Sequence, residues 1–309
     1  MTTSVTPPAK VQDTPSTRNR PAKFRGVGDN AGRANWVVKL FLGFICFLWL
    51  VPVIGLFVTS LRTPEAANTS GWWTFLKSPL DAAQWTLNNY HEVATRNGMG
   101  QAFVNSLVVT LPATIIPIMI AAFAAYAFTF MQFWGRDALF ILIVSLLVVP
   151  NQVALVPLLK LYGTLGLNGT FLSVWLAHIG FGMPLAIYIL RNYMSSLPSS
   201  LIESAKIDGA SHFKTFWLLI VPLSVPALAS FAIFQFLWVW NDLLVALLFI
   251  GPGPNAPMTV VMAGLVGAQG QGWNLITAGG FFTMVLPLIV FLSLQRFFVS
   301  GMTAGAVKG

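Results

Sequence analysis

Residues 198–222 read PSSLIESAKIDGASHFKTFWLLIVP, a polar, glycine-interrupted stretch set between two of the most apolar runs of the chain. Ser200 and Glu203 have the S-x-x-E spacing of a capping box, which predicts a helix starting just after Pro198. Leu201, Ile202 and Ala205 give that helix an apolar side, with Lys206 and Asp208 toward water. Gly209 can take the left-handed conformation that ends a helix, and Ser211 can cap a second helix running toward Trp217. Helix, glycine hinge and helix at the foot of a membrane bundle form either an ordinary interfacial loop or an element that a second protein grips. Local physics leaves both readings open.

The rest of the chain supplies the bundle. Of 309 residues, 56% are apolar and 8% are charged, where a soluble domain carries about 25% charged residues. The chain is read as membrane-embedded and long enough for roughly six spans with connectors. The net charge of +8 suggests nucleic acid at first sight, but seven of the seventeen Lys and Arg residues precede position 40. Lipid headgroups and topology account for that distribution, and no nucleic-acid partner is expected. Cys46 is the one cysteine, so it forms no intrachain disulfide. The first apolar run, from near Trp36, is too long for the apolar region of a secretory signal.

Residues 1–35 are rich in Pro, Thr, Ser, Arg and Gly and are expected to form a disordered cytoplasmic arm. A six-span domain is expected over 36–300, with spans at Leu40–Leu61, Phe103–Phe128, Ala138–Leu159, Phe171–Leu190, Leu223–Leu247 and Asn274–Phe298. Pro150-Asn151-Gln152 and Pro157 interrupt the third, which predicts an unwound part lining a cavity. Residues 62–100 are a polar excursion holding Trp72, Trp73, Trp85 and Tyr90, an interfacial anchor or a docking surface. Gly251–Trp273 reads as a charge-free outer loop. With the amino terminus inside, thirteen basic residues fall on the inner side. Arg62, Lys77, Arg96 and Lys160 are the four outside, so the polar loop faces the cytoplasm.

Chemistry inside the spans is sparse. His178 lies within the fourth, either hydrogen-bonded to a neighbouring helix or functional. The fifth holds Gln235, Trp238, Trp240, Asn241 and Asp242. A carboxylate near mid-membrane costs about 2.5–3.5 kcal/mol, so Asp242 must face protein or water. Aromatic faces beside amides and a carboxylate suit a sugar, by ring stacking and hydroxyl hydrogen bonds; buried interhelical hydrogen bonds are the alternative. Gln152, Trp240, Asn241 and Asp242 are the candidate substrate path. The sequence contains no G-x-x-x-x-G-K-[ST] loop, no H-E-x-x-H and no G-x-S-x-G elbow. No catalytic residue, metal or cofactor is expected, and the energy for uphill transport has to enter from a partner.

Glu203-Ser204-Ala205 followed by Gly209, Ile220 and Pro222 resembles the "EAA" loop of binding-protein-dependent ABC importer permeases. The run IESAKIDGAS is similar to the carbohydrate branch, the maltose-type permeases, with Ser204 where Ala is usual. Weaker likenesses lie in TLNNYHEV (86–93), LYGTLGLNGT (161–170) and the tail GMTAGAVKG (301–309). The resemblance implies an all-α membrane protein with six transmembrane helices of the MetI-like permease type and a cytoplasmic coupling-helix loop. It implies ATPase coupling through Glu203, Ser204, Ala205, Asp208 and Gly209. The cytoplasmic tail, 301–309, would touch the ATPase through Thr303, Gly305 and Lys308. The implied partners are a second homologous permease, two ATP-binding subunits that hold ATP and Mg, and an extracytoplasmic sugar-binding protein. The implied location is a bacterial or archaeal plasma membrane with both termini cytoplasmic, and the implied cargo is a carbohydrate. An ion-coupled secondary transporter and a non-transporting membrane scaffold remain the alternatives.

Overall fold

The computed structural model describes residues 36–265 and 272–304. The arm expected at 1–35 lies outside them, as do Gly305 and Lys308 of the tail. Among the described residues the regular structure is helical, with one isolated antiparallel bridge between Arg62 and Trp85. Two units divide the chain after Pro52. The first contributes the start of α1 (Trp36–Ser60), with every side chain from 36 to 50 exposed. Such an exposed helix, apolar but for Lys39 in its first turn, is stable in lipid, where its backbone bonds are satisfied internally.

In the second unit, α2 (Pro64–Thr69), two 3-10 turns and α3 (Asn88–Thr95) build the excursion that precedes α4 (Met99–Phe130). Next come α5 (Arg136–Ser145), α6 (Asn151–Thr164) and α7 (Phe171–Ser195). The polar stretch forms α8 (Ser199–Ile207) and α9 (His212–Thr215), continued by a π-helical turn at Phe216–Ile220 and by α10 (Val221–Leu223). The chain closes with α11 (Val225–Trp240), α12 (Leu244–Phe249), α13 (Met258–Leu265) and α14 (Trp273–Ala304).

Helices α1, α4, α7 and α14 are each long and apolar enough to cross a membrane. Two bent pairs meet the same test: residues 136–148 with α6, at 98°, and residues 212–223 with α11, at 73°. Taking each pair as one span gives the six expected. The first break has a local cause: Pro150 forces Val149 out of the helical region, to φ −77 and ψ 119.

Three expectations are corrected. The capping box does not form: Pro198 itself holds the N-cap of α8, with no side-chain cap bond. Ser200 is therefore already inside the helix, and Glu203 is left exposed. The fifth span is not continuous over Leu223–Leu247, because it stops at Trp240 and resumes at Leu244. Asp242 explains the restart, since its Oδ2 accepts the N–H of Ala246 at 3.0 Å in the first turn of α12. The outer loop holds a helix, α13, with Met258 and Val260 buried; residues 266–271 fall outside the described chain.

Helix α4 is the spine, packed along α7 and α11, while α11 also packs on α14. Small residues permit this: Ala113, Ala121, Ala122 and Ala125 of α4 and Ala177, Gly182 and Ala186 of α7 are all buried. Polar side chains then pin helices to one another's backbones. Asn105 donates to the carbonyls of Pro254 and Ala256, and the Trp175 indole to Val108.

The excursion is organised around Arg62 and Asn89. Arg62 is buried and donates to the carbonyls of Ser70 and Gly71 and to the Ser70 and Thr74 hydroxyls; desolvation lowers its pKa. Trp72 folds back onto α1, where a Cβ on Gly55 would come within 2.7 Å of the indole. Asn89 donates to the carbonyls of Ser60 and Arg62 and accepts from Asn274 at 2.8 Å. Asn89→Ala removes both donations and strands the Asn274 amide in the interior. The expected cost is about 1–3 kcal/mol, read as a lower unfolding midpoint in detergent with the helical content of the folded state unchanged.

Candidate functional site

Two places gather polar groups. The first is the loop from Pro198 to Pro222. Ile202 anchors α8 in the apolar cluster that contains Leu190 and Met194 of α7. Glu203, Ser204, Lys206 and Asp208 point outward, and Ile207 is 85% exposed. At Gly209, with φ +71, the chain reverses: the Gly209 N–H donates to Lys206 and the Ala210 N–H to Ala205. A side chain at 209 would meet no atom within 4 Å, so glycine is required there by its dihedral angle and not by space. Ser211 Oγ accepts the Lys214 N–H at 3.3 Å and caps α9, as the sequence indicates. Ser204, Ala205 and Asp208 line an open groove opposite Lys214 and Leu218. An exposed aliphatic side chain beside carboxylates and a lysine is a surface with geometry for a protein partner.

The second is a cavity of about 420 Å³ at the Pro150 break, where α6, α7 and α11 converge. Pro150, Asn151, Gly180, Gly182, Gln235 and Trp238 are among its walls, and none of its lining residues is ionisable. Gln235 is fully buried and donates to the Ala113 carbonyl of α4 at 3.1 Å. Its Oε1 has no hydrogen-bond partner in the protein. The amide lies flat on α7, since a Cβ on Gly182 would come within 2.7 Å of it. An indole and the Asn151 amide in its wall, with the unpaired Gln235 oxygen shielded just behind them, suit a neutral hydroxylated molecule.

His178 and Asp242 come together behind this cavity. His178 Nε2 stands 3.6 Å from Asp242 Oδ2, and its ring meets Trp238 edge-on at 5.5 Å between centroids. Neither imidazole nitrogen makes a hydrogen bond, so of the two readings of His178 the bond to a neighbouring helix is absent. Asp242 is occupied by α12, and its carbonyl accepts from Thr259.

The structure separates the four residues assigned to a substrate path. Trp240 is buried in the core, stacked on Phe236 and bonded through its indole to the Thr283 carbonyl. Asn241 is exposed and turned back to Leu237, and Gln152 is exposed outside the cavity lining. Gln235 and Trp238, from the same aromatic-rich run, are the ones that reach the cavity. Asn151 belongs to the Pro150-Asn151-Gln152 interruption that the sequence places beside a cavity, and it does line one; Gly180 and Gly182 were not singled out by sequence, and the Gly-Phe-Gly run inside a span was the available signal. Of the tail residues, Thr303 lies in the last turns of α14.

The chain is similar to known proteins in sequence and in fold. Residues 117–304 match the family described as binding-protein-dependent transport system inner membrane component. The osmoprotective compounds uptake permease protein of Synechocystis sp. is 57% identical over 265 residues, covering 85% of this chain and 89% of that one. The alpha-glucoside transport system permease protein of Rhizobium meliloti is 40% identical, covering 89% and 97%. Among solved structures, a chain of a bacterial ABC transporter importing the acidic polysaccharide alginate superposes with a TM-score of 0.71 at 20% identity, covering 85% and 95%. With over half its length matched and relatives this similar, the chain belongs to the family of inner-membrane components of binding-protein-dependent transport systems.

Proposed function

We propose that this chain is the membrane-spanning permease subunit of an ATP-driven importer, and that a neutral carbohydrate or similar polyol passes through it. The observation that carries the substrate class is the cavity at the Pro150 break, with an unpaired Gln235 oxygen, a Trp238 indole and no ionisable lining residue. A sugar acid would call for a cation there. Similar permeases agree with this in what they are named for, among them those for alpha-glucosides, for trehalose and maltose in Thermococcus litoralis, and for trehalose in Mycobacterium tuberculosis.

ATP hydrolysis belongs to two partner ATP-binding subunits in this reading, with ATP and Mg held there. A second homologous permease completes the path, and an extracytoplasmic binding protein delivers the sugar. The loop around Gly209 is the port through which the ATP-binding subunits drive the spans. Its exposed Glu203, Ile207 and Asp208 and its left-handed turn support that role. Thirteen basic residues on the loop's side, against four on the other, support a cytoplasmic placement of the loop and of both termini. Closure of the ATP-binding pair then shifts the population between inward-open and outward-open forms.

Two outcomes check this reading. Gly209→Val places a branched side chain at positive φ, so the purified importer should retain its spans yet hydrolyse ATP with little uptake; normal uptake would contradict the port assignment. Gln235→Leu keeps the shape and removes the acceptor, so KM for sugar uptake should rise about tenfold with kcat little changed. An unchanged KM, measured by radiolabelled uptake in proteoliposomes, would remove Gln235 from the path.

A further inference from the structure

Both halves of the loop enter one apolar cluster built by α4 and α7: Ile202 from α8, and Phe216 and Ile220 from beyond Gly209. The second half is also fastened directly to α4. His212 Nδ1 lies 2.9 Å from the Tyr126 hydroxyl, on a tyrosine that is only 4% exposed. One turn earlier on the same face of α4, Phe123 stacks on Phe216 with centroids 4.4 Å apart and planes at 22°. Phe216 also meets the Tyr126 ring edge-on at 5.5 Å, and Trp217 meets Phe123 at 5.8 Å. The π-helical turn begins at Phe216. Its wider turn lets adjacent rings, Phe216 and Trp217, both reach Phe123.

The route along the chain is poorer. Between α10 and α11 the helix axis turns by 73° at Ser224, so a push on α9 is not passed straight into α11. Helix α4, in contrast, runs as one helix from Tyr126 to Ala113, roughly 20 Å at 1.5 Å per residue. The carbonyl of Ala113 is where Gln235 of the cavity is hydrogen-bonded.

We propose that the Tyr126–His212 hydrogen bond, backed by the Phe123–Phe216 stack, clamps α9 to α4 as one body, so that loop motion reaches the cavity through α4. Tyr126 and His212 are positioning residues, and the inference rests on the loop being the energy port. The clamp stays closed throughout the cycle, because its purpose is to make two elements move together.

The test uses the assembled importer in proteoliposomes, with the one native cysteine, Cys46, replaced by Ser. Tyr126→Cys and His212→Cys are combined and bridged by a short bis-methanethiosulfonate reagent. The bridged protein should keep most of its ATP-driven uptake, whereas the unbridged pair should show about a fivefold lower uptake per ATP hydrolysed. His212→Ala should lower the same ratio without lowering the amount of folded complex. His212→Asn, which keeps a polar atom near the Nδ1 position, should restore it. Bridging that abolishes uptake while the ATP-binding subunits remain bound would show that the pair separates during transport and would overturn the clamp. An unchanged ratio in His212→Ala would overturn it equally. Failure of the unaltered chain to co-purify with ATP-binding subunits is a distinct result: it removes the energy-port reading, and the clamp with it.

Discussion

Each break within the spans has to satisfy its backbone polar groups without water, because the surrounding solvent there is hydrocarbon. That constraint explains why the breaks stand where they do. At the Pro150 break, Val149 donates to Leu146 and Val153 to Pro150, so the 98° bend leaves short local bonds in place. At Ser224 the N–H reaches both Ile220 and Val221. At Asn241–Leu243 the chain leans on side chains: Asp242 Oδ2 accepts the Ala246 N–H, and the Thr259 hydroxyl donates to the Asp242 carbonyl. A carboxylate deep in an apolar chain is costly, and here it serves as a helix cap with an imidazole beside it.

The same constraint shapes the packing. Lipid is as apolar as leucine, so helices gain little by burying leucine against one another and associate through close backbone approach and polar bonds. Helix α4 presents alanines to its neighbours and receives the Gln235 amide and the Trp175 indole on its carbonyls. Large apolar residues, such as Ile115, Phe123 and Ile120, are left more exposed than the alanines. This is the reverse of a soluble core and accords with a bundle whose outer surface lies in lipid.

Helix α4 links the loop and the cavity wall: Tyr126, near its C-terminal end, meets His212, and the Ala113 carbonyl, at mid-helix, accepts from Gln235.

Much of this was legible in the sequence. Charge-free runs of spanning length located the helices, because a helix is the structure that satisfies its own backbone in lipid. Pro150 announced a break, since proline excludes its predecessor from the helical region. Gly209 announced a left-handed turn, since other residues are strained there, and Ser211 announced a cap. Tertiary structure decided what no local rule could reach. Pro198 took the cap position that Ser200 was spaced to fill, and α13 formed in a loop rich in Gly and Pro because α4 and α14 offered it apolar surface. Among adjacent aromatics and amides of one run, Trp240 went into the core and Gln235 to the cavity. Helical periodicity places residues on faces, but only the packing of α4, α7, α11 and α14 determines which face meets protein and which meets the cavity. His212 and Tyr126, 86 residues apart in sequence, became neighbours for the same reason.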